Sequence, residues 1–586
     1  MRRTDANGLI SERFQGLTID RRRFLKKAGL LSLSIPVFGA LLSACADDDD
    51  ETAPVDEPSE DADDEDVDVD DTEATDDDNG EESADGGTML VAWEAEPWPL
   101  DPTGTTAASV MRATRLIYQT LILPDLTQSA DDVPAPPLVE GLAESWEVDE
   151  DATEFTFSIR QGVEFHDGTP LDANAFVFNW DRALNEDFEH YSGQAASFLN
   201  STLRWVESYE AEDDMTFTVQ LSEPFASFLL HMSNEAFGVI SPAAIEEHGE
   251  DIGSNPVGTG PFRYVDRVAG DRIDLERNED YWDDNARLEG IVIRPISESA
   301  SRVAALQGGE VDFVVTIPPD SVQMLEDEPD IEVVFAGPPH VWFWMLNFRD
   351  TPTQDKLVRQ AMNYAIDRES LVNDILSGTA EPAAGPVPPG NPAYNPDVTG
   401  YEYDPERALA LLEEAGYGDG FELAGFVPDS GSGMMVPMDM NEFIQSNLAD
   451  VGISVTFDVM EFGAFIERGG QGLQEEDGFL QTSWGSNDMF WVEEMFHSAL
   501  HPPNGNVRTW YDNPEVDELL EQARGEADEE LRVSLYQQAE ELIIEDATWL
   551  FVCHDRAPKA YHNSVQGFVG APSWHFDMIN MRLDQS

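Results

Sequence analysis

From Ala46 to Thr88 the chain carries 23 acidic residues and no lysine or arginine, interrupted only by scattered small, polar and proline residues. Such a tract cannot bury enough apolar area to offset the entropy of ordering, and its like charges keep it extended. Residues 46–87 are therefore expected to be a disordered spacer. Everything able to form a core lies downstream, beginning near Met89.

Upstream, residues 1–45 have the three parts of an export leader. Arg21-Arg22-Arg23-Phe24-Leu25-Lys26 is basic, Ala28 to Ala44 is apolar and small, and Leu42-Ser43-Ala44-Cys45 opens directly onto the acidic tract. The paired arginines followed by Phe-Leu-Lys resemble a twin-arginine signal. Leu-Ser-Ala-Cys resembles a lipobox, in which Cys45 is lipidated and becomes the new N-terminus. An uncleaved membrane anchor is the other reading. However, the apolar stretch sits at the short edge of the roughly 17–25 residues that span a bilayer, and it contains Pro36 and Gly39. Both readings place the bulk of the chain outside the cell, held to the membrane by one end.

The formal net charge is −86. Downstream of Thr88 there are 92 acidic against 24 basic residues, so the folded body is itself strongly acidic and carries only two lysines, Lys356 and Lys559. In dilute buffer such a body repels itself; at molar salt the Debye length falls to about 3 Å and the repulsion is largely screened. The composition points to life at high salt, as in a halophilic archaeon, and its sign excludes nucleic acid as a partner. With Cys45 assigned to the anchor, Cys553 has no mate, and its apolar run Trp549–Cys553 reads as a buried strand with the thiol packed in the core. Nearly 500 residues should form more than one lobe.

Phe155, Phe157 and Ile159 alternate with polar residues, as do Met215, Phe217, Val219 and Leu221, which predicts two half-buried strands. Asp172 is placed to cap a helix with Phe176, Val177, Trp180, Ala183 and Leu184 on its apolar face. Asp404-Pro405 opens a helix through Leu409, Leu411, Leu412 and Ala415 that stops at Gly416. Asn513-Pro514 opens another with Val516, Leu519 and Leu520, followed by one carrying Leu535, Tyr536, Ala539, Leu542 and Ile543. Short strands alternate with helices throughout, so the class is α/β, or α+β with mixed sheets. No nucleophile elbow, zinc helix or phosphate loop occurs. Gly258-Thr259-Gly260 and His166-Asp167 read as turns, and no catalytic residue, metal site or cofactor is expected.

An ordered series of segments does carry information. These are GLAESW at 141–146, FTFSIR at 155–160 leading to VEFHDGTPL at 163–171, PVGTGPF at 256–262 and ERNEDYW at 276–282. QGGEVD at 307–312, RQAMNYAID at 359–367 and NPEVD at 513–517 complete it. Together they resemble the extracellular solute-binding proteins of family 5, the peptide/nickel-type receptors of ABC importers, from about Met89 to the C-terminus. The resemblance implies a two-lobed, periplasmic-binding-protein-like clam-shell with an additional third domain. Lobe I would comprise 88–124, 251–339 and 557–586; the additional domain, 125–250; lobe III, 340–556. It implies a monomer that is not an enzyme. Its partners would be a small solute, with di- or oligopeptide favoured over sugars, nickel chelates and other small organic solutes, and the permease and ATPase subunits of an importer.

Site residues follow from the same resemblance. The end of the first strand, Trp93, Glu94 and Glu96, would line the cleft, as would Trp342, Trp344 and Asn347 on a second wall. Peptide-binding members have an aspartate three residues after the tryptophan that corresponds to Trp484. Here that position is Asn487, which cannot offer a charge-assisted bond to an ammonium group. Either the adjacent Asp488 substitutes, or the ligand is not a peptide.

Overall fold

The strand Thr88–Trp93 is apolar on both faces, with Met89, Val91, Ala92 and Trp93 all buried, the pattern of a strand covered on two sides. It occupies the middle of a seven-stranded mixed sheet, parallel to Gly290–Pro295 on one side and Phe313–Val314 on the other. Arg272–Arg277 and Phe262–Val268 extend one edge in antiparallel fashion, and Pro558–His562 and Ile331–Phe335 extend the other. Met89, Val91 and Trp93 pack with Ile291, Ile293 and Phe313 on one face, while Ala92 and Val314 pack with Val303, Leu306 and Leu325 on the opposite face. The computed structural model describes residues 86–584 apart from 105–107, 131, 134, 336–339, 432, 486, 487 and 574. The leader, Cys45 and all but the end of the acidic spacer therefore lie outside the described residues.

A second mixed sheet has six strands in the order Ala380–Pro382, Trp549–Asp555, His340–Leu346, Phe479–Trp484, Phe421–Pro428 and Ile453–Met460. Its central strand, HVWFWML, is buried at all seven positions. Val341, Phe343 and Met345 enter a core with Trp491, Trp549 and Phe551. Trp342, Trp344 and Leu346 enter another with Val358, Met362, Met440 and Ile444. Cys553 is buried and unpaired in the neighbouring strand, where burial pushes its thiol well above the usual range.

The third layer is a four-stranded antiparallel sheet, Ala143–Val148, Glu154–Ile159, Thr216–Leu221 and Val206–Asp213. Helix Ala173–Leu184 covers it with Phe176 and Trp180, and Asp172 caps that helix by accepting from Ala175 N. Asp404 and Asn513 likewise cap Pro405–Glu414 and Pro514–Gly525. The expected apolar faces need two corrections: Leu184 is exposed at the end of helix Ala173–Leu184, and Leu409 is 48% exposed, so that helix Pro405–Glu414 buries only Ala408 and Leu412. The packing face of Pro405–Glu414 is narrower than four apolar residues suggest, because only one side of this helix meets the second sheet's core.

The Gly258–Gly260 turn closes the end of helix Ala108–Ile117, with Gly260 N donating to Ile117 O at 2.8 Å. A Cβ on Gly258 would sit 2.2 Å from that same carbonyl oxygen. Gly258→Ala is therefore expected to lower stability by about 1–3 kcal/mol, measured by chemical denaturation. His166 seals the turn from the other side, its Nε2 lying 3.0 Å from Gly260 O.

Candidate functional site

Chain connectivity passes between the two large sheets only twice. It leaves the first sheet after Phe335 and enters the second at His340; it returns between Asp555 and Pro558. The ends of the two passages lie side by side, because His340 pairs with Asp555 in one sheet and Phe335 with Pro558 in the other. Two adjacent crossings of this kind can act as a hinge, with the backbone at the element ends absorbing the change.

Ionisable groups converge at this crossing although the surroundings are apolar. Lys559 is 4% exposed, and burial together with the like charge of Arg112 pushes its ammonium down to about 7. Burial raises the Asp555 carboxyl to about 6 and lowers the imidazoles of His554 and His340 to about 4 and about 3. His340 Nδ1 lies 2.6 Å from Ser483 Oγ. On the lobe side of the first sheet, Arg112 reaches Glu94 with two N–H groups, at 2.8 and 3.3 Å. Its guanidinium also lies 5.5 Å from the Trp93 ring centroid. Burial works against the Glu94 charge, but Arg112 more than compensates and holds the carboxyl below its usual value.

The expected cleft residues separate into three groups. Trp93 and Glu94 sit at the end of the first strand; Glu96, just beyond it, pairs with Arg267 at 2.7 Å and accepts from Gly270 N, at the sheet edge opposite the crossing. Trp484 is half-buried at the end of its strand, with the Arg508 guanidinium 5.7 Å from its ring. Trp342, Trp344 and Asn347, by contrast, are fully buried inside the second lobe. Trp344 Nε1 donates to Asn441 Oδ1 at 2.8 Å and its ring stacks on Phe479, while Trp342 Nε1 donates to Met434 O. Asn347 fixes a turn by donating to Gln474 O and Asp477 O. These three hold the lobe together and do not line an opening, because both faces of their strand are covered by core. Asn487 lies outside the described residues.

Asp488 is engaged with the small-sheet layer. It accepts from Ser227 Oγ and Phe490 N at 3.0 Å, and His231 Nε2 lies 2.7 Å away. Burial alone would lower the His231 pKa, but the hydrogen bond and charge of Asp488, with Glu494 adding to them, raise it despite the opposing Arg204. Phe225 and Phe490 pack against the ring, and Thr202 Oγ1 meets Nδ1. Because the folded pKa is above the unfolded one, this contact stabilises fully below about pH 6.5 and fades as pH rises through the folded value. His231→Gln should cost about 1.5–3 kcal/mol at pH 5.5 and less at pH 8.5, read from denaturant midpoints.

Sequence reasoning did not find Arg112, Asp555, His340, His554 or Lys559. Two signals were available. Lys559 is one of two lysines downstream of the leader, and Arg112 with Arg115 places two cations three residues apart in an acidic chain.

The profile described as "Bacterial extracellular solute-binding proteins, family 5 Middle" matches residues 137–507. The chain belongs to this family. It is 32% identical to the glutathione-binding protein GsiB of Pectobacterium atrosepticum over 456 residues, 76% of this chain and 86% of that one. Among solved structures it is similar to the periplasmic binding protein DppA of Helicobacter pylori in complex with peptide STSA. That pair has a TM-score of 0.77 and 26% identity, over 85% of this chain and 98% of the other. A dipeptide-binding protein from Pseudoalteromonas in complex with Met-Leu shares the fold, with a TM-score of 0.76 at 24% identity, over 85% and 100% of the two chains. This family 5 protein thus has the two-lobed α/β architecture. Among the described residues, no helix is long and apolar enough to cross a membrane.

Proposed function

We propose that this chain is the solute-binding receptor of an ABC importer, capturing a di- or oligopeptide between its two large lobes and delivering it unchanged to a membrane permease. The observation that carries the reading is the double crossing at Phe335–His340 and Asp555–Pro558, with Trp93, Glu94, Lys559 and Asp555 gathered beside it. The division of the chain follows from this reading. Lobe I takes 88–124, 251–339 and 557–586 around the seven-stranded sheet; the third domain takes 125–250; lobe III takes 340–556. Peptide as the solute is supported by the relatives, one named for glutathione and one solved with a tetrapeptide.

Within the cleft, Trp93, Glu94, Glu96 and Trp484 remain the candidates to meet solute, with Asp488 replacing the amine-binding aspartate if its contact with His231 opens. The leader supports export by a twin-arginine route and anchoring through Cys45 to the outer face of the cytoplasmic membrane. The acidic body supports work at high salt. A thermal-shift screen in molar salt against peptides, sugars and metal chelates tests the assignment. A peptide at 100 times its Kd should add about 2.7 kcal/mol to the folded state and be recovered intact. A sugar or chelate shift with none from peptides would reassign the solute, and cleaved peptide would refute the receptor reading.

A further inference from the structure

A cavity of about 250 Å³ lies at the end of the first strand, beneath Trp93 and Arg112. It is walled by helix Ala108–Ile117, the segment 123–127 and the C-terminal segment 575–580, and no residue of 340–556 lines it. Both lobes are therefore not needed to form it.

Its lining brings two arginines, Arg112 and Arg115, together with four aspartates, Asp125, Asp283, Asp284 and Asp577. Arg112 and Arg115, three residues apart, share one helix face and both reach the cavity. Arg115 is half-buried and makes no hydrogen bond or ion pair among the described residues. Glu235 is the strongest charge acting on it, and the cavity-lining Asp577 adds a weaker one; Glu235 does not line the cavity, and its Oε2 is taken by His575 Nε2 at 2.9 Å. Trp93, Arg112 and His575 are each more than nine-tenths buried and line the cavity; Trp93 Nε1, Arg112 Nε and His575 Nδ1 have no hydrogen-bond partner. With Nε2 facing the Glu235 carboxylate and burial keeping the ring neutral, His575 presents Nδ1 as an acceptor, so Trp93 Nε1 and Arg112 Nε are the two unsatisfied donors. Buried donors without partners are costly, and the pair marks a place prepared for an acceptor.

The carboxylates around the opening do not meet this need. Asp577 accepts from Ile579 N, Asn580 N and Asn580 Nδ2, and Asp125 from Thr127 and Gln128. Asp283 and Asp284 are exposed at the rim. A carboxylate has about four acceptor sites and suits a guanidinium fork, and this volume admits a small acid or one end of a longer solute rather than a whole oligopeptide.

We propose that this cavity is a carboxylate-binding site, with Arg115 pairing the charge and Trp93 and Arg112 donating to the oxygens. The carboxylate comes either from a free organic acid or from the C-terminal end of a captured peptide; only the second source rests on the receptor reading above. The test is calorimetric titration in molar salt of succinate, Ala-Ala-Ala and Ala-Ala-Ala amide into the wild type, Arg115→Gln and Arg115→Lys, with folding confirmed by melting.

For a free acid, Arg115→Gln should weaken succinate by about tenfold or more. For a peptide end, it should weaken Ala-Ala-Ala to that extent and leave the amide unchanged. Arg115→Lys, which keeps the charge but not the fork, should fall between. It carries the test alone should the glutamine variant not fold. If every probe binds variant and wild type alike, or no carboxylate probe binds the wild type, the pocket assignment is overturned. Loss of succinate binding in Arg115→Gln while neither peptide form binds would leave the pocket standing and count against the peptide reading.

Discussion

Replacing Arg112 with methionine is expected to lower stability by about 3–5 kcal/mol at pH 7, because it leaves a buried carboxylate without its partner. Methionine is unbranched and can occupy the space over Trp93, so lost packing contributes little. The effect should carry a distinctive pH signature. In the wild type Arg112 holds Glu94 below its ordinary pKa, so the pair stabilises above the unfolded value and that contribution is lost as pH falls through the folded one. Without Arg112, burial dominates and Glu94 is pushed upward, so its contribution is instead lost as pH rises above the unfolded value. Denaturation in molar salt should therefore show a smaller deficit near pH 4 than at pH 7, and Glu94→Gln added to Arg112→Met should restore much of the loss. An equal deficit at both pH values would mean that Arg112 acts by packing alone. Removing Arg112 also removes a like charge acting on Lys559, whose pKa should rise.

The second large effect is expected from salt. With 92 acidic and 24 basic residues after Thr88, the body is held together against its own repulsion. The Debye length grows from about 3 Å at 1 M to about 30 Å at 0.01 M, so charges that ignore one another in brine interact across a lobe in dilute buffer. The cooperative thermal transition should be sharp at molar sodium chloride and fall steeply, or vanish, below about 0.1 M. Sucrose, which favours burial without screening charge, should not rescue it. A melting temperature unchanged between these salt levels would contradict the high-salt reading of the composition.

Local structure was legible where one segment decides it. The alternation in Glu154–Ile159 and Thr216–Leu221, and the caps at Asp172, Asp404 and Asn513, need only neighbours in sequence. The central place of Thr88–Trp93 was not legible, since its partners lie some 200 residues away and parallel pairing leaves no turn signature. HVWFWML shows the same limit: a strand buried on both faces and a strand facing a cleft have the same apolar composition. What decides for Trp344 is a hydrogen bond to Asn441, 97 residues distant. The charged cluster at the crossing draws Glu94, Arg112, Asp555 and Lys559 from opposite ends of the chain, and no spacing rule joins them. Leu409 erred the other way, because a leucine in a helix says nothing about which side meets a core.

All of this depends on two bodies that swing together about Phe335–His340 and Asp555–Pro558 when a solute enters. Small-angle X-ray scattering of the protein in molar salt, with and without a saturating peptide found by the thermal screen, measures that movement directly. The account predicts a smaller radius of gyration with peptide bound, reversed when the peptide is dialysed away. An unchanged radius at full occupancy would contradict it.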